Sequence, residues 1–342
     1  MYLRNVWYAY AWAAEVKDNL FTRTILNEPV LTYRKEDNQL VAFRDMCPHR
    51  FAPLSLGKKC GNTVECLYHG LKFNEEGKCV YNPHGDKKIP VAAQLQQYPI
   101  EEKDSLIWIW MGDIEKADPT LIPDFDFLNH PEKYAYTDGM VTHMKASYDL
   151  ITDNLLDLSH AAYLHPETLG SEAVSRGETK VTQTGNTVLS ENFYPNGKPA
   201  PVFSITGAAD ANEYIDYWVD VRWDPPGAMF FYAGITAVGA SKASGKLLSS
   251  AQLLTPETDK TTHYFWKQFH SFSIDVPELT AAIQQAVLQA FEVEDEPVIQ
   301  AVQNRMAGKD LWSLKPVLLS TDVGAVRVRR LMSKLIQDEK SL

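Results

Sequence analysis

At 342 residues, the chain has room for two domains, and its 45% apolar and 23% charged content belongs to a globular protein with a core rather than a disordered one. Thirty-three basic against 44 acidic residues leave a net charge of −11, which disfavours generic binding to nucleic acid or anionic membranes. No run approaches the ~18 uninterrupted apolar residues of a membrane span, and Met1-Tyr2-Leu3-Arg4-Asn5-Val6-Trp7 lacks the charged start and small-residue cleavage site of a secretory leader, so a cytoplasmic protein is expected.

From residue 25 to 110 the pattern is of short strands separated by turns, such as Pro29-Val30-Leu31-Thr32-Tyr33, Leu40-Val41-Ala42-Phe43 and Leu106-Ile107-Trp108-Ile109-Trp110. Asp37-Asn38, Glu76-Gly77 and Met111-Gly112-Asp113 punctuate them, so an all-β domain is expected. Two fragments fall at its turns: Cys47-Pro48-His49 and, after a gap of 16 residues, Cys66-Leu67-Tyr68-His69. One Cys and one His from each loop make the ligand set of a Rieske [2Fe–2S] cluster, in which two thiolates hold one iron and two imidazoles the other. Tetrahedral zinc also accepts Cys₂His₂, but zinc fingers pair Cys with Cys and His with His. Cys60 and Cys79 remain, and in a reducing compartment they are expected to be free structural thiols.

Asp118-Pro119, Ile122-Pro123 and His130-Pro131 break regular structure, placing a boundary near residue 116 and domains at 1–115 and 116–342. Beyond it the pattern predicts a helix over 147–164, strands near 180–193, 214–222, 228–237, 248–255 and 262–270, and closing helices over 277–306 and 320–337. Strands without regular intervening helices predict an antiparallel sheet with helices packed against it, an α+β domain.

The first of these helices carries His160 and His165 with Asp153 and Asp157, the acids sharing a face at helical spacing, as do Asp157 and His160. In a chain that already holds a redox cluster, two His beside acids point to mononuclear non-haem Fe(II), which uses two His and one carboxylate. The helix from Pro277 has an apolar stripe of Leu279, Ile283, Val287, Phe291, Val298, Val302 and Met306. Asp295 interrupts it on the inward side, where an acid is costly unless paired or bound to metal. Glu294 falls within the stripe too, Pro297 loosens the angular argument, and periodicity leaves both acids open.

These motifs resemble the oxygenase component of Rieske non-haem iron oxygenases, in the group of vanillate and dicamba O-demethylases. The likeness runs through Asn5-Val6-Trp7-Tyr8, Cys47-Pro48-His49-Arg50, Cys66-Leu67-Tyr68-His69-Gly70-Leu71 and Ile107-Trp108-Ile109-Trp110. It continues in Asp153-Asn154, Asp157, His160, His165, Leu254-Thr255-Pro256-Glu257-Thr258 and His263-Tyr264-Phe265. It implies a Rieske β-domain followed by a helix-grip catalytic domain. Cys47 and Cys66 would bind one cluster iron and His49 and His69 the other. His160, His165 and Asp295 (rather than Glu294) would bind the mononuclear iron, with Asn154 close by. Asp157 would bridge His160 to His69 of a neighbouring subunit in a head-to-tail trimer.

The same resemblance implies electrons from a separate NAD(P)H-dependent reductase with flavin and an iron–sulfur centre; no dinucleotide fingerprint occurs in this chain. The expected reaction is O₂-dependent O-demethylation of a methoxybenzoate such as vanillate, releasing formaldehyde. Methyl hydroxylation of an aryl sulfonate, amine oxidation and ring hydroxylation are the alternatives. An electron carrier would need neither His160 nor His165, nor so long a second domain. Expected pocket residues are Phe203, Phe230, Phe231, Tyr232, Phe265, Trp266 and Phe291, with Gln252 and His263 as polar contacts and Arg222 as the nearest anion anchor.

Overall fold

Ten short strands build the N-terminal part: β1 (Trp7–Trp12), β2 (Phe21–Ile25), β3 (Glu28–Arg34), β4 (Leu40–Arg44), β5 (Lys58–Cys60), β6 (Thr63–Glu65), β7 (Lys72–Phe73), β8 (Cys79–Tyr81), β9 (Ile100–Lys103) and β10 (Leu106–Trp110). The computed structural model describes residues 1–341. The strands form antiparallel sheets in the orders β1-β10-β9, β2-β3-β4 and β5-β6-β7-β8. Every side chain of β1 and β10 is buried, so these strands read as unbroken apolar runs, with Trp7 packed edge-on to Trp110. None of the four cysteines forms a disulfide, Cys60 and Cys79 among them.

The chain divides into two units, Tyr2–Ile122 and the residues from Pro123 onward, several residues past the boundary read from prolines alone. Hydrogen bonds account for the difference. Trp7 Nε1 donates to the Asp118 carbonyl (2.8 Å) and Lys103 Nζ to that of Ile122 (3.2 Å), tying the proline-rich turns to the first unit. Asp113 and Asp118 cap short 3₁₀ turns there through Glu115 N and Thr120 N.

The second unit is α+β. Its sheet contains β11 (Ala135–Tyr136), β12 (Met140–Met144), β13 (Glu178–Thr184), β14 (Thr187–Gly197), β15 (Ile215–Asp224), β16 (Ala228–Ala237), β17 (Lys246–Thr258) and β18 (Thr261–His270). All pairings are antiparallel, in the order β11-β18-β17-β16-β15-β14-β13, with β12 also on β18. The stretch read as one strand over 180–193 is the β13–β14 hairpin, turning at Gly185 with positive φ.

Helices α1 (Tyr148–Leu156), α2 (Ala161–Leu164), α3 (Pro201–Ile205), α4 (Pro277–Leu288), α5 (Glu296–Met306) and α6 (Val323–Lys340) accompany the sheet. The helix expected over 147–164 is two pieces. Asp157 leaves helical geometry at φ −114°, ψ 89° and caps a new turn by accepting from Ser159 N. Asp153 and Asp157 therefore do not share a helical face. Asp153 instead binds Arg329 of α6 twice, at 2.7 Å to Nε and 2.6 Å to Nη2.

This ion pair fastens the closing helix to α1, which carries Asn154. Arg329→Ala strands a largely buried carboxylate, and a loss of about 2 kcal/mol in stability is expected by denaturant melting, below the 3–5 kcal/mol of a fully buried pair because both side chains keep some solvent contact. Among the described residues no helix is long and apolar enough to cross a membrane.

Candidate cluster and iron sites

The two cluster loops are built alike. In the loop after β4, Cys47 N donates to Ala52 O (2.9 Å) and Phe51 N to Cys47 O (2.9 Å). In the loop after β6, Cys66 N donates to Leu71 O (2.8 Å) and Gly70 N to Cys66 O (2.9 Å). The fifth residue of each turn is left-handed: Gly70 at φ 67°, and Phe51, which lacks glycine's freedom, at φ 61°. Buried Asp45 braces the first loop by accepting from Ser55 N (2.8 Å) and Ser55 Oγ (2.5 Å).

These turns bring Cys47 and Cys66, both buried, within hydrogen-bonding reach and set His49 edge-on to His69, ring centroids 4.5 Å apart. Burial pushes the Cys47 thiol up to about 11, with the neighbouring Cys66 adding to it. Coordination by a cation reverses that penalty, because a metal-bound thiol gives up its proton. Desolvation, then His49, lowers the His69 imidazole, which favours the neutral ligand form. Two thiols on the buried side and two imidazoles toward the surface fit a Rieske cluster.

The second site gathers His160, His165 and Asp295, whose ligand atoms lie within 4.8 Å of one another. Asp295 Oδ1 is 3.2 Å from His165 Nε2 and 3.6 Å from His160 Nε2. The far ring nitrogens are engaged elsewhere: His160 Nδ1 with the Asp157 carbonyl (2.5 Å) and His165 Nδ1 with Glu294 Oε2 (2.6 Å). Both Nε2 atoms are thereby left for one ion, and two imidazoles plus a carboxylate fit non-haem Fe(II). Asn154 Nδ2 donates to Asp295 Oδ1 (3.1 Å), placing its amide at the ligand set.

The helix around Asp295 explains why spacing left both acids open. Residues Gln289–Asp295 form a wide π-helical turn, in which Glu296 N reaches back to Phe291 O. Pro297 supplies no N–H, and such insertions concentrate at functional sites. The wider turn delays the helical phase. Asp295 and Ile299 face inward, while Val298 and Val302, expected in the stripe, are exposed. It also lets consecutive acids grip one imidazole: Asp295 on His165 Nε2 and Glu294 on Nδ1, with Thr168 Oγ1 donating to Glu294 (3.0 Å). Burial works to lower the His165 imidazole, but the two carboxylates outweigh it and raise it.

Asp157 departs from expectation. Its backbone carbonyl, not its carboxylate, holds His160 Nδ1. The carboxylate accepts from Ser159 Oγ (2.6 Å) and Thr321 Oγ1 (3.3 Å), because its side chain caps the turn that carries His160.

A cavity of about 110 Å³ opens beside the three ligands, on the scale of the ~150 Å³ apolar void that admits one benzene. Phe203, Phe231, Gln252 and Phe291 line it as expected. Strand alternation removes others. Phe230 and Tyr232 lie on the opposite face of the sheet, where Phe230 stacks on Phe127 at 4.1 Å. His263 and Phe265 likewise point away, His263 facing His143. Trp266 packs edge-on against Phe291 behind the cavity wall. Sequence reading missed Tyr194, Tyr217, Ser250 and Gln268 in the wall. The pairing that sets Phe231 opposite Ser250, and Ser250 opposite Gln268, shows why they converge. That register has no signature in the strands taken singly.

A cluster-bearing β-domain joined to a two-His, one-carboxylate site in an apolar cavity defines an iron-dependent oxygenase. The family models agree: the Rieske [2Fe–2S] domain matches residues 6–99, and the vanillate O-demethylase oxygenase C-terminal domain matches 144–338. The chain is 38% identical over 339 residues (99% of each chain) to the dicamba O-demethylase oxygenase component of Stenotrophomonas maltophilia. It is 37% identical over 340 residues (99% of this chain, 97% of the other) to the chloroacetanilide N-alkylformylase oxygenase component of Rhizorhabdus wittichii. A crystal structure of dicamba monooxygenase bound to 3,6-dichlorosalicylic acid superposes with a TM-score of 0.94 at 36% identity, covering 100% of this chain and 99% of that one. The chain belongs to the vanillate O-demethylase family of Rieske non-haem iron oxygenases, as an oxygenase component. Its cofactors are a Rieske [2Fe–2S] cluster and a mononuclear non-haem iron.

Proposed function

We propose that this chain catalyses oxidative O-demethylation of a small aryl methyl ether, the vanillate-type reaction, with electrons supplied by a separate NAD(P)H-dependent flavin and iron–sulfur reductase. The observation that carries this reading is the convergence of His160, His165 and Asp295 at the end of a ring-sized apolar cavity. Relatives named dicamba O-demethylase and vanillate O-demethylase support removal of a methyl group from an aryl oxygen. When bound, the two metal centres supply single electrons and O₂ activation.

The chain's own part is positioning. Phe203, Phe231 and Phe291 exclude water and hold an aromatic ring. The Asp157 carbonyl and Glu294 fix both imidazoles, and Asn154 steadies the Asp295 carboxylate. Overall, aryl methyl ether, one O₂, two electrons and two protons give phenol, formaldehyde and water. Cys47, Cys66, His49 and His69 would hold the cluster and His160, His165 and Asp295 the iron.

The assembly we propose is a head-to-tail homotrimer in the cytoplasm, with His69 of one subunit serving the iron of its neighbour past Asp157. Exposed Phe51 (68%), Leu67 (71%) and Tyr68 (63%) around the cluster loops support a covering partner surface.

Supplying the purified protein with NADH, a flavin/iron–sulfur reductase and a panel of methoxyarenes should yield formaldehyde and phenol in equal amounts. O₂ uptake with hydroxylated product but no formaldehyde from any methoxyarene overturns demethylation.

A further inference from the structure

Every polar group of the cavity wall other than the iron-site residues is neutral: Ser250, Gln252, Gln268 and the hydroxyls of Tyr194 and Tyr217. Burial pushes both phenols up, away from ionisation. Gln252 is fixed in place, its amide oxygen accepting from the Tyr264 hydroxyl and its nitrogen donating to Ser250 Oγ (2.9 Å). No lysine or arginine lines the cavity among the described residues.

Basic side chains on the neighbouring strands, and Lys242 in the turn between β16 and β17, are committed elsewhere. Arg222, the anchor suggested by sequence, lies on the opposite face of the sheet, paired with Asp224 (2.9 Å) and donating to the Asp124 carbonyl (2.7 Å). Lys242 pairs with Asp220 (2.6 Å), and Lys246 donates to the Ala208 carbonyl (2.6 Å). Nor does the metal site offer spare positive charge. Asp295 and Glu294, both acids, grip His165 from both sides. An anionic ring substituent would surrender its hydration to this wall and meet no counter-charge.

We infer that the substrate of this oxygenase enters uncharged: an aromatic ether or amide whose polar group hydrogen-bonds to Gln252 or Gln268, not a benzoate or an aryl sulfonate. The inference rests on the reading of this cavity as the substrate pocket, and it narrows the methoxybenzoate expected from sequence to a neutral counterpart.

Three ligands that share the 4-hydroxy-3-methoxyphenyl ring test it: vanillate, vanillamide and vanillyl alcohol. Titrated calorimetrically into the anaerobic holoenzyme at neutral pH, the amide or the alcohol should bind at least tenfold tighter than the carboxylate. Gln252→Arg, which places a cation in the wall, should shift the preference toward vanillate. Vanillate binding as tightly as its neutral partners overturns the inference, as does failure of both neutral ligands to bind at millimolar concentration. Formaldehyde release is scored separately with reductase present. Tight neutral binding without formaldehyde would sink demethylation and leave the charge preference standing; tight vanillate binding with formaldehyde would do the reverse.

Discussion

Asp295→Ala is expected to leave the brown Rieske chromophore intact while the protein's iron content falls to that of the cluster alone and turnover disappears. Asp295 is the only one of the three converging groups that brings negative charge, and it is buried. Without it two neutral imidazoles face a dication, and Asn154 loses its acceptor at the site. Glu294→Gln is the contrasting variant. It preserves a hydrogen-bonding group at His165 Nδ1 but removes the charge, and partners of this kind are worth about 10–100-fold in metal affinity. It should therefore retain iron at saturating Fe(II) and lose it under mild chelation. Metal analysis with a visible spectrum distinguishes the pair. Loss of iron from Glu294→Gln but not from Asp295→Ala would mean that the adjacent acid is the ligand.

That contrast also shows where reading the sequence stops. The two cluster fragments were legible because each loop carries its own Cys and His within a short run, and local turn chemistry places them. His160 and His165 were legible for the same reason. Asp295 was not separable from Glu294, because the residue that would decide it, Pro297, acts by widening the helix, and a regular helical period does not describe a π-helical turn. Most of the failed pocket assignments share one cause. Aromatic composition marks Phe230, Tyr232 and Phe265 as apolar, but only strand register decides which face each one joins, and a shift of one residue exchanges the faces; Trp266 is on the cavity face but is covered by Phe291. Leu248, Ser250 and Gln252 reach the cavity together because they alternate along β17; His263 and Phe265 point away together for the same reason on β18. Asp157 illustrates a further limit. Its place in the motif foretold its nearness to His160, while the capping geometry that turns its carboxylate toward Ser159 depends on where the helix breaks.

The largest effect expected away from the metal ligands is at Asp157. Asp157→Ala should leave both centres loaded and the cluster reducible, yet abolish substrate-coupled turnover. The stability cost is that of a lost cap, about 1 kcal/mol, far too little to explain loss of activity by unfolding. Alanine keeps the carbonyl that holds His160 Nδ1; what it removes is the carboxylate that orders Ser159 and Thr321 beside the ring, the acidic group on the face of His160 turned away from the metal. If electrons cross to a neighbouring subunit by that face, the defect has a direction that mixed assemblies reveal. Differently tagged chains carrying Cys66→Ser (no cluster) and Asp295→Ala (no mononuclear iron) are each expected to be inactive alone and active when co-assembled, because only a subunit boundary then joins a working cluster to a working iron. Adding Asp157→Ala to the Cys66→Ser chain, whose iron does the chemistry, should extinguish that recovered activity. Added to the Asp295→Ala chain, whose iron site is already lost, it should change little. Recovered activity that survives Asp157→Ala in both positions would remove Asp157 from the electron route, and mixed assemblies with no activity would place electron transfer within a single chain.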